Sequence, residues 1–159
     1  MQELIQYFAT ISDDARGIIL VSGLTFFLLL EAWNPLFKFN YGKTKHAFLN
    51  IFFNVTTMII NLLGAILIYN AAIFNSSNSS GLLNIFTMPL WLYILLGLLL
   101  MDLIGSWLIH YIQHKVKWMW KFHLIHHTDP YVDVTSGLRH HPGESVFRLI
   151  FTILAVLVT

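Results

Sequence analysis

The sequence contains no cysteine and few charged residues. Without cysteine the chain can form no disulfide, no iron–sulfur cluster and no thiolate zinc site. Only 11% of its residues are charged and 57% are hydrophobic, whereas a soluble domain carries about 25% charged residues. Such a shortage of charge indicates lipid as the solvent. The formal net charge is only +1, so the composition indicates no nucleic-acid partner.

Long apolar stretches occupy much of the chain. Three of them, residues 17–33, 47–74 and 89–109, approach or exceed the roughly 20 helical residues that cross a bilayer. A fourth stretch begins near Ser145 and is still apolar at Thr159. We expect it to be a membrane helix that is cut at the C-terminus. The alternative is a short final helix buried among the others.

These stretches predict an all-α fold. We expect a polytopic helical membrane protein with about three full transmembrane helices and the cut fourth one. Residues 1–159 would form a single membrane domain that is incomplete. The basic residues predict its orientation, because cytoplasmic loops are enriched in Lys and Arg. Eight of the nine basic residues fall on one face, which is therefore predicted to be cytoplasmic: Lys38, Lys43, Lys45, Lys115, Lys117, Lys121, Arg139 and Arg148.

Histidines are concentrated on the same face. Seven of the eight lie between His110 and His141. Residues four apart on a helix share a face, so the third span should continue to about His114 and present two imidazoles together. A second helix over 116–127 would present His123, His126 and His127, and should end near residue 128 because Pro130 disfavours helix before it. Imidazole is the commonest transition-metal ligand among side chains, so residues 110–144 are predicted to form a metal-binding cytoplasmic segment.

The ligand type narrows the metal. All-nitrogen sites suit iron, zinc, copper or nickel, and five to seven histidines exceed the needs of one zinc, so two metals fit better. Of the adjacent pair His140 and His141, we favour His141 as a ligand because it precedes the rigid Pro142. The alternative is that some histidines only lie at the membrane interface. His46, alone in the first cytoplasmic loop, is expected to lie at headgroup level.

Other polar residues accompany the histidines. Asp102 lies inside the third span, where an acidic residue is costly and is a functional candidate by default. It could accept an imidazole N–H, or it could bond to Ser106. Arg139 and Glu144 are candidates to pair across the turn that carries His141. The tryptophans Trp107, Trp118 and Trp120 predict an aromatic belt at the interface.

The ordered motifs H-x-x-x-H, W-x-F-H-x-x-H-H and R-x-H-P-x-E resemble the fatty acid hydroxylase/sterol desaturase superfamily. Glu31, Pro35 and Asn50 also resemble its N-terminal half. Many members have Arg where this chain has Tyr111, and the superfamily supplies a further histidine cluster downstream that does not occur before Thr159. The residues that carry the main resemblance are Asp102, His110, His114, Trp120, Phe122, His123, His126, His127, Arg139, His141, Pro142 and Glu144.

The resemblance implies oxygen-dependent oxidation of a membrane lipid, by hydroxylation or desaturation. It implies two iron ions, for which zinc could substitute, with O2 and with electrons from NAD(P)H delivered by a separate electron-transfer protein. The catalytic residues that it implies are Asp102, Arg139 and Glu144. The metal ligands that it implies are His110, His114, His123, His126, His127 and His141.

Three rival interpretations stay open. A straight-chain acyl desaturase uses similar histidine clusters, although the R-x-H-P motif favours the hydroxylase/sterol branch. A membrane zinc hydrolase would need a carboxylate base, for which Asp129 or Asp133 could serve. A truncated or degenerate membrane protein would be non-catalytic. The metal content of the purified protein distinguishes these classes.

Overall fold

The computed structural model describes residues 2–35 and 42–159. Lys38, one of the basic residues that predict the orientation, lies outside this part of the chain. The described residues contain no β-strand, so the prediction of an all-α fold is confirmed. A π-helical turn covers Leu103–Leu108, and short 3₁₀ turns cover Leu82–Ile85 and Val134–Leu138. The α-helices are α1 (Gln2–Thr10), α2 (Asp13–Trp33), α3 (Lys43–Asn78), α4 (Leu90–Asp102), α5 (Ile109–Lys115), α6 (Lys117–His127) and α7 (Pro142–Val158).

Three helical segments are long and apolar enough to cross a membrane, as expected. They are Asp13–Trp33, Lys43–Ile85 and Leu90–Lys115. The second contains α3, whose 36 residues at 1.5 Å each make a helix about 54 Å long. The hydrocarbon core of a bilayer is only about 30 Å thick. Part of α3 must therefore tilt strongly or extend beyond the hydrocarbon.

The described chain forms two compact units. The smaller contains α1, α2 and the segment Tyr131–Val134. Ser12 caps the N-terminus of α2. Its side chain accepts a hydrogen bond from the Ala15 amide at 3.2 Å, which satisfies one of the free donors of the first helical turn. Glu31, near the end of α2, accepts a hydrogen bond from the Val134 amide at 3.1 Å.

The larger unit contains Gly42–Pro130 and Thr135–Thr159, and α7 lies at its centre. This helix packs against α3, α4, α5, α6 and the π-helical turn. Its packed face includes Ser145 and Ala155, which are buried, whereas Val146, Ile150 and Leu154 are exposed on the other face. Pro142 at the first helical position presets the backbone angle for a helix start.

Small and polar residues line the contact between α3 and α7. Thr57 donates a hydrogen bond to the carbonyl of His140 at 3.3 Å, and Asn75 donates one to the carbonyl of Val156 at 2.7 Å. Between them Gly64 packs so closely on Leu149 that an added Cβ would lie 2.6 Å from a Leu149 methyl. Lipid tails are as apolar as leucine, so membrane helices associate through such close packing and hydrogen bonds.

The third span is not one regular α-helix. It continues to Lys115, as expected from the spacing of the histidines, but the π-helical turn interrupts it. A π-helical turn holds one residue more than an α-helical turn and occurs frequently at functional sites. It lies against α7, where Gly105 is close to the Thr152 backbone. The turn therefore changes the helical phase between Asp102 and the first histidine.

Replacing Gly64 by Val should destabilise the larger unit. The new side chain would collide with Leu149, and overpacking of this kind costs about 1–3 kcal/mol. We expect a lower thermal midpoint of the purified protein in detergent, and partial recovery in the double variant with Leu149→Ala. Gly23→Val is the matched control, since an added Cβ at Gly23 meets nothing within 4 Å. Equal midpoints for the two single variants would show that the α3–α7 contact is not tightly packed.

Candidate metal centre

Two short helices joined by a single residue carry the histidine pairs. Between α5 and α6 only Val116 is non-helical, with φ −95° and ψ 108°, an extended conformation that suits a β-branched residue. This one-residue break turns the chain so that α5 and α6 pack against each other. Each helix then presents two imidazoles, four residues apart, to the other.

Four imidazoles meet between these helices. His110, His114, His123 and His127 each place one ring nitrogen within 4.8 Å of the nitrogens of the other three. The Nε2 atoms of His110 and His114 are 3.0 Å apart, as are those of His123 and His127. His123 is fully buried, and His114 and His127 are exposed. These four residues are among the six histidines that the resemblance implies as metal ligands.

This arrangement fits a metal ion. Two nitrogens held about 2.1 Å from one ion lie about 3.0 Å apart when the two bonds are perpendicular, and about 3.4 Å apart at the tetrahedral angle. An N–H···N hydrogen bond would also explain one such distance. It would not explain why four nitrogens converge on one point, and four neutral nitrogen donors suit iron, zinc, copper or nickel.

A buried carboxylate lies behind the four-histidine cluster. Glu144 is fully buried, and its Oε1 lies 3.2 Å from Nδ1 of His123 and 3.3 Å from Nδ1 of His140. The same oxygen accepts a hydrogen bond from Nε of Arg148 at 2.8 Å. Burial alone would raise the pKa of Glu144, but His140 and Arg148 outweigh it and lower that pKa to about 2.

Glu144 favours the neutral tautomer of His123 that can bind a metal through Nε2. An ionised carboxylate only accepts hydrogen bonds, so it favours a proton on Nδ1 of His123 and leaves the lone pair on Nε2, which faces the cluster. Carboxylates commonly orient metal-binding histidines in this way. Burial, opposed by Glu144, lowers the pKa of His123 to about 4. The imidazole is therefore neutral and able to bind a metal near pH 7.

The remaining histidines of the segment lie outside the four-histidine cluster. His126 stacks on His140, with ring centroids 4.6 Å apart and planes at 13°, and burial lowers the pKa of His126. His141 occupies the position before α7, and its Nδ1 accepts a hydrogen bond from the Gly143 amide at 2.9 Å. Of the adjacent pair, His140 thus lies beside Glu144 and His126, while His141, the ligand that the sequence favoured, caps a helix.

The acidic and basic candidates are dispersed. Asp102 is exposed and is not among the residues of the four-histidine cluster. The expected pair of Arg139 with Glu144 does not form, because Glu144 binds Arg148 and Arg139 lies 3.8 Å from Asp129.

Sequence reasoning missed two neighbours of the cluster. Trp120, assigned to the interfacial belt, packs on it, with ring centroids 5.1 Å from His114 and 5.4 Å from His127. Arg148 was named only among the basic residues that predict the orientation of the chain in the membrane. Its spacing of four from Glu144 is the usual spacing of a helical ion pair and could have identified it.

Comparison with known proteins agrees with the motifs. Residues 94–159 match the family model described as fatty acid hydroxylase, which confirms the predicted resemblance for this part of the chain. The match includes all four histidines of the cluster, His140 and Glu144. No curated protein and no solved structure is significantly similar to the chain.

Exchanging His141 for Asn should preserve metal binding. Asn is among the best helix N-cap residues, so it keeps the cap on α7 but cannot replace an imidazole ligand in kind. We expect the His141→Asn protein to bind as much Zn²⁺ or Co²⁺ as the wild type, and the His123→Asn protein to bind much less. Loss of metal in the His141 variant would place His141 among the ligands after all.

Acid should destabilise the metal-free protein partly through His123. An unfolded chain protonates this residue near pH 6.5, whereas the folded chain does so near pH 4. Between these values the unfolded state binds the extra proton, so stability falls as the pH falls through this range. We expect His123→Gln to flatten the dependence of the thermal midpoint on pH between 6.5 and 4. Glu144 does not interfere, since its lowered pKa affects stability only below about pH 4.5. An unchanged slope would contradict a buried neutral His123.

Proposed function

We propose that this protein catalyses oxygen-dependent oxidation of a lipid, by hydroxylation or desaturation of a fatty acyl, sterol or related lipid, at a histidine-ligated di-iron centre. The observation that carries the proposal is the convergence of four imidazole nitrogens within 4.8 Å. This convergence lies inside the segment that matches the fatty acid hydroxylase family, and at the end of a helix that is long and apolar enough to cross a membrane.

The four-histidine cluster would hold one iron, and His126 and His140 are the nearest donors for a second. The motif alone implies His141 as a further ligand, whereas its cap on α7 favours the opposite, and the His141→Asn experiment decides between them. When bound, the iron pair would supply the oxygen-dependent cleavage of an unactivated C–H bond, chemistry that side chains alone lack. Zinc could occupy the same nitrogens without supporting that reaction. We further propose that electrons come from NAD(P)H through a separate electron-transfer protein.

The chain's own residues hold and shield this centre. Glu144 fixes the ring and tautomer of His123 and also faces His140, so a single carboxylate would orient donors of both irons. Arg148 balances the buried charge of Glu144. Trp120 covers one side of His114 and His127, which would limit access of water to the reacting centre. Asp102 and Arg139 stay proposed catalytic residues on the resemblance.

A cavity beside His140 offers space for part of a substrate. It has a volume of about 400 Å3 and lies between α3, the π-helical turn and α7. Its wall includes Asn61, Gly105, His140, Arg148 and Thr152. We propose that the substrate reaches the centre from the bilayer through this space. From the distribution of Lys and Arg we also propose that the centre faces the cytoplasm.

A membrane zinc hydrolase is less well supported. It would need a carboxylate free to act as a general base beside the metal. Asp129 binds His46 at 2.7 Å and Ser136 at 2.5 Å, and Glu144 is tied to Arg148. Asp129 and Glu144 therefore already serve as acceptors in the fold, which argues against either of them as that base.

Metal and lipid analysis of the purified protein tests the proposal. We expect about two irons per chain, and an oxidised lipid that forms only when O2 and a reducing system are supplied. His114→Ala should lose both metal and product, while Asn75→Ala, at the far end of α3, should keep both. One zinc per chain with O2-independent product release would indicate a hydrolase. Absence of bound metal would indicate a non-catalytic membrane protein.

A further inference from the structure

The first two turns of α3 face the segment that follows the second histidine pair. His46 and Asn50 are four residues apart on α3 and therefore share a face. Asn50 is fully buried, and the side chain of His46 is only 8% exposed. His46, which was expected at headgroup level, packs its side chain against protein. Both side chains contact residues that lie between α6 and α7 in the sequence.

Asp129 is the centre of these contacts. Its Oδ1 lies 2.7 Å from Nε2 of His46 and 3.8 Å from the guanidinium of Arg139. Its Oδ2 accepts a hydrogen bond from the hydroxyl of Ser136 at 2.5 Å. The carboxylate is only 3% exposed. A carboxylate at this depth is retained only when it is paired and hydrogen-bonded, so these partners and the position of Asp129 depend on one another.

Two further hydrogen bonds extend the same attachment. Asn50 donates to the hydroxyl of Thr135 at 2.8 Å, and Arg139 donates to the hydroxyl of Thr128 at 3.4 Å. About two turns after Asn50 on α3, Thr57 donates a hydrogen bond to the carbonyl of His140. One face of α3 thus contacts residues 128–130 and 135–140, on both sides of Tyr131–Val134.

This segment determines where two parts of the metal centre lie. It begins directly after His127, a member of the four-histidine cluster, and it ends at His140, which stacks on His126. Asp129 is two residues from His127 and Arg139 is next to His140. A shift of Asp129 away from α3 would therefore move the C-terminal end of α6 and the start of α7 relative to each other.

We propose that His46 and Asp129 are positioning residues for the metal centre. By fixing the segment between α6 and α7 to α3, they hold His127 and His140 in place before an ion binds, which lowers the conformational cost of binding. The inference rests on the proposed metal centre but not on the proposed reaction. It also gives the N-terminal part of α3, which lies outside the matched residues 94–159, a role in metal binding.

A pair of substitutions at His46 tests this role. His46→Leu removes the donor to Asp129, whereas His46→Gln retains an N–H donor on a side chain of similar reach. The measurement is a Co²⁺ titration of the full-length metal-free protein in detergent, followed by visible absorption. Removing a residue that supports a metal ligand typically lowers affinity 10–100-fold. We expect a loss in that range for His46→Leu, a similar loss for Asp129→Leu, and an affinity near wild type for His46→Gln.

Asn75→Ala is the matched control. Asn75 also ties α3 to another part of the larger unit, through Val156 at 2.7 Å, but at the opposite end of the helix. This variant should lose thermal stability while keeping its Co²⁺ affinity and spectrum. If it loses as much affinity as His46→Leu, or if His46→Gln is no better than His46→Leu, the positioning role is wrong.

The outcomes also separate this inference from the proposed function. Tight Co²⁺ binding by the wild type and by His46→Leu alike would overturn the positioning role and leave the metal centre intact. Failure of the wild type to bind Co²⁺ would overturn both. Should His46→Leu fail to fold, the comparison of His46→Gln with Asp129→Asn still decides. Asn has one acceptor oxygen in place of two and lacks the charge that faces Arg139, so Asp129→Asn should lose affinity while His46→Gln retains it.

Discussion

Four imidazole nitrogens approach to within 4.8 Å of one another, and a shared proton or a cation would make such a contact favourable. Several features near the cluster act on this contact. The extended conformation of Val116 brings the two helices together, the spacing of four aligns the rings within each helix, and Glu144 lies behind His123. Burial also keeps the pKa of His123 low, so the ring competes for a metal rather than for a proton. The cluster is thus prepared by local geometry and by the burial of His123 together.

The lipid environment explains how this geometry is maintained. Between membrane helices the hydrophobic effect gives little attraction, so specific hydrogen bonds and close contacts decide which helices adjoin. In the larger unit these contacts converge on α7, whose first turn carries Glu144 and whose later turns meet Gly64 and Asn75 on α3. The same helix therefore organises the membrane part and supplies the carboxylate of the site. Packing errors along α7 would be transmitted to the cluster through Glu144.

Local patterns in the sequence predicted the spans and the histidine helices well. The third span was expected to reach about His114 and ends at Lys115, and the following helix was expected over 116–127 and covers Lys117–His127. Both predictions rest on spacing and on Pro130, which act over a few residues. Contacts between distant parts of the chain were not predictable in this way. His46 and Asp129 are 83 residues apart, and His140 stacks on His126 across the segment that joins α6 to α7. The π-helical turn likewise arises where Gly105 meets Thr152, and no periodicity in the sequence marks it.

The π-helical turn has a consequence for how the third span could change during evolution. The end formed by α4 must match α7 and lipid, and the end formed by α5 must match α6 across the four-histidine cluster. In a regular α-helix each residue advances the face by about 100°, so the angle between the faces of the two ends would be fixed by the number of residues between them. The additional residue in Leu103–Leu108 separates them by a fixed rotation. The lipid-facing residues at the membrane end and the histidines at the other end could then each be selected for their own contacts.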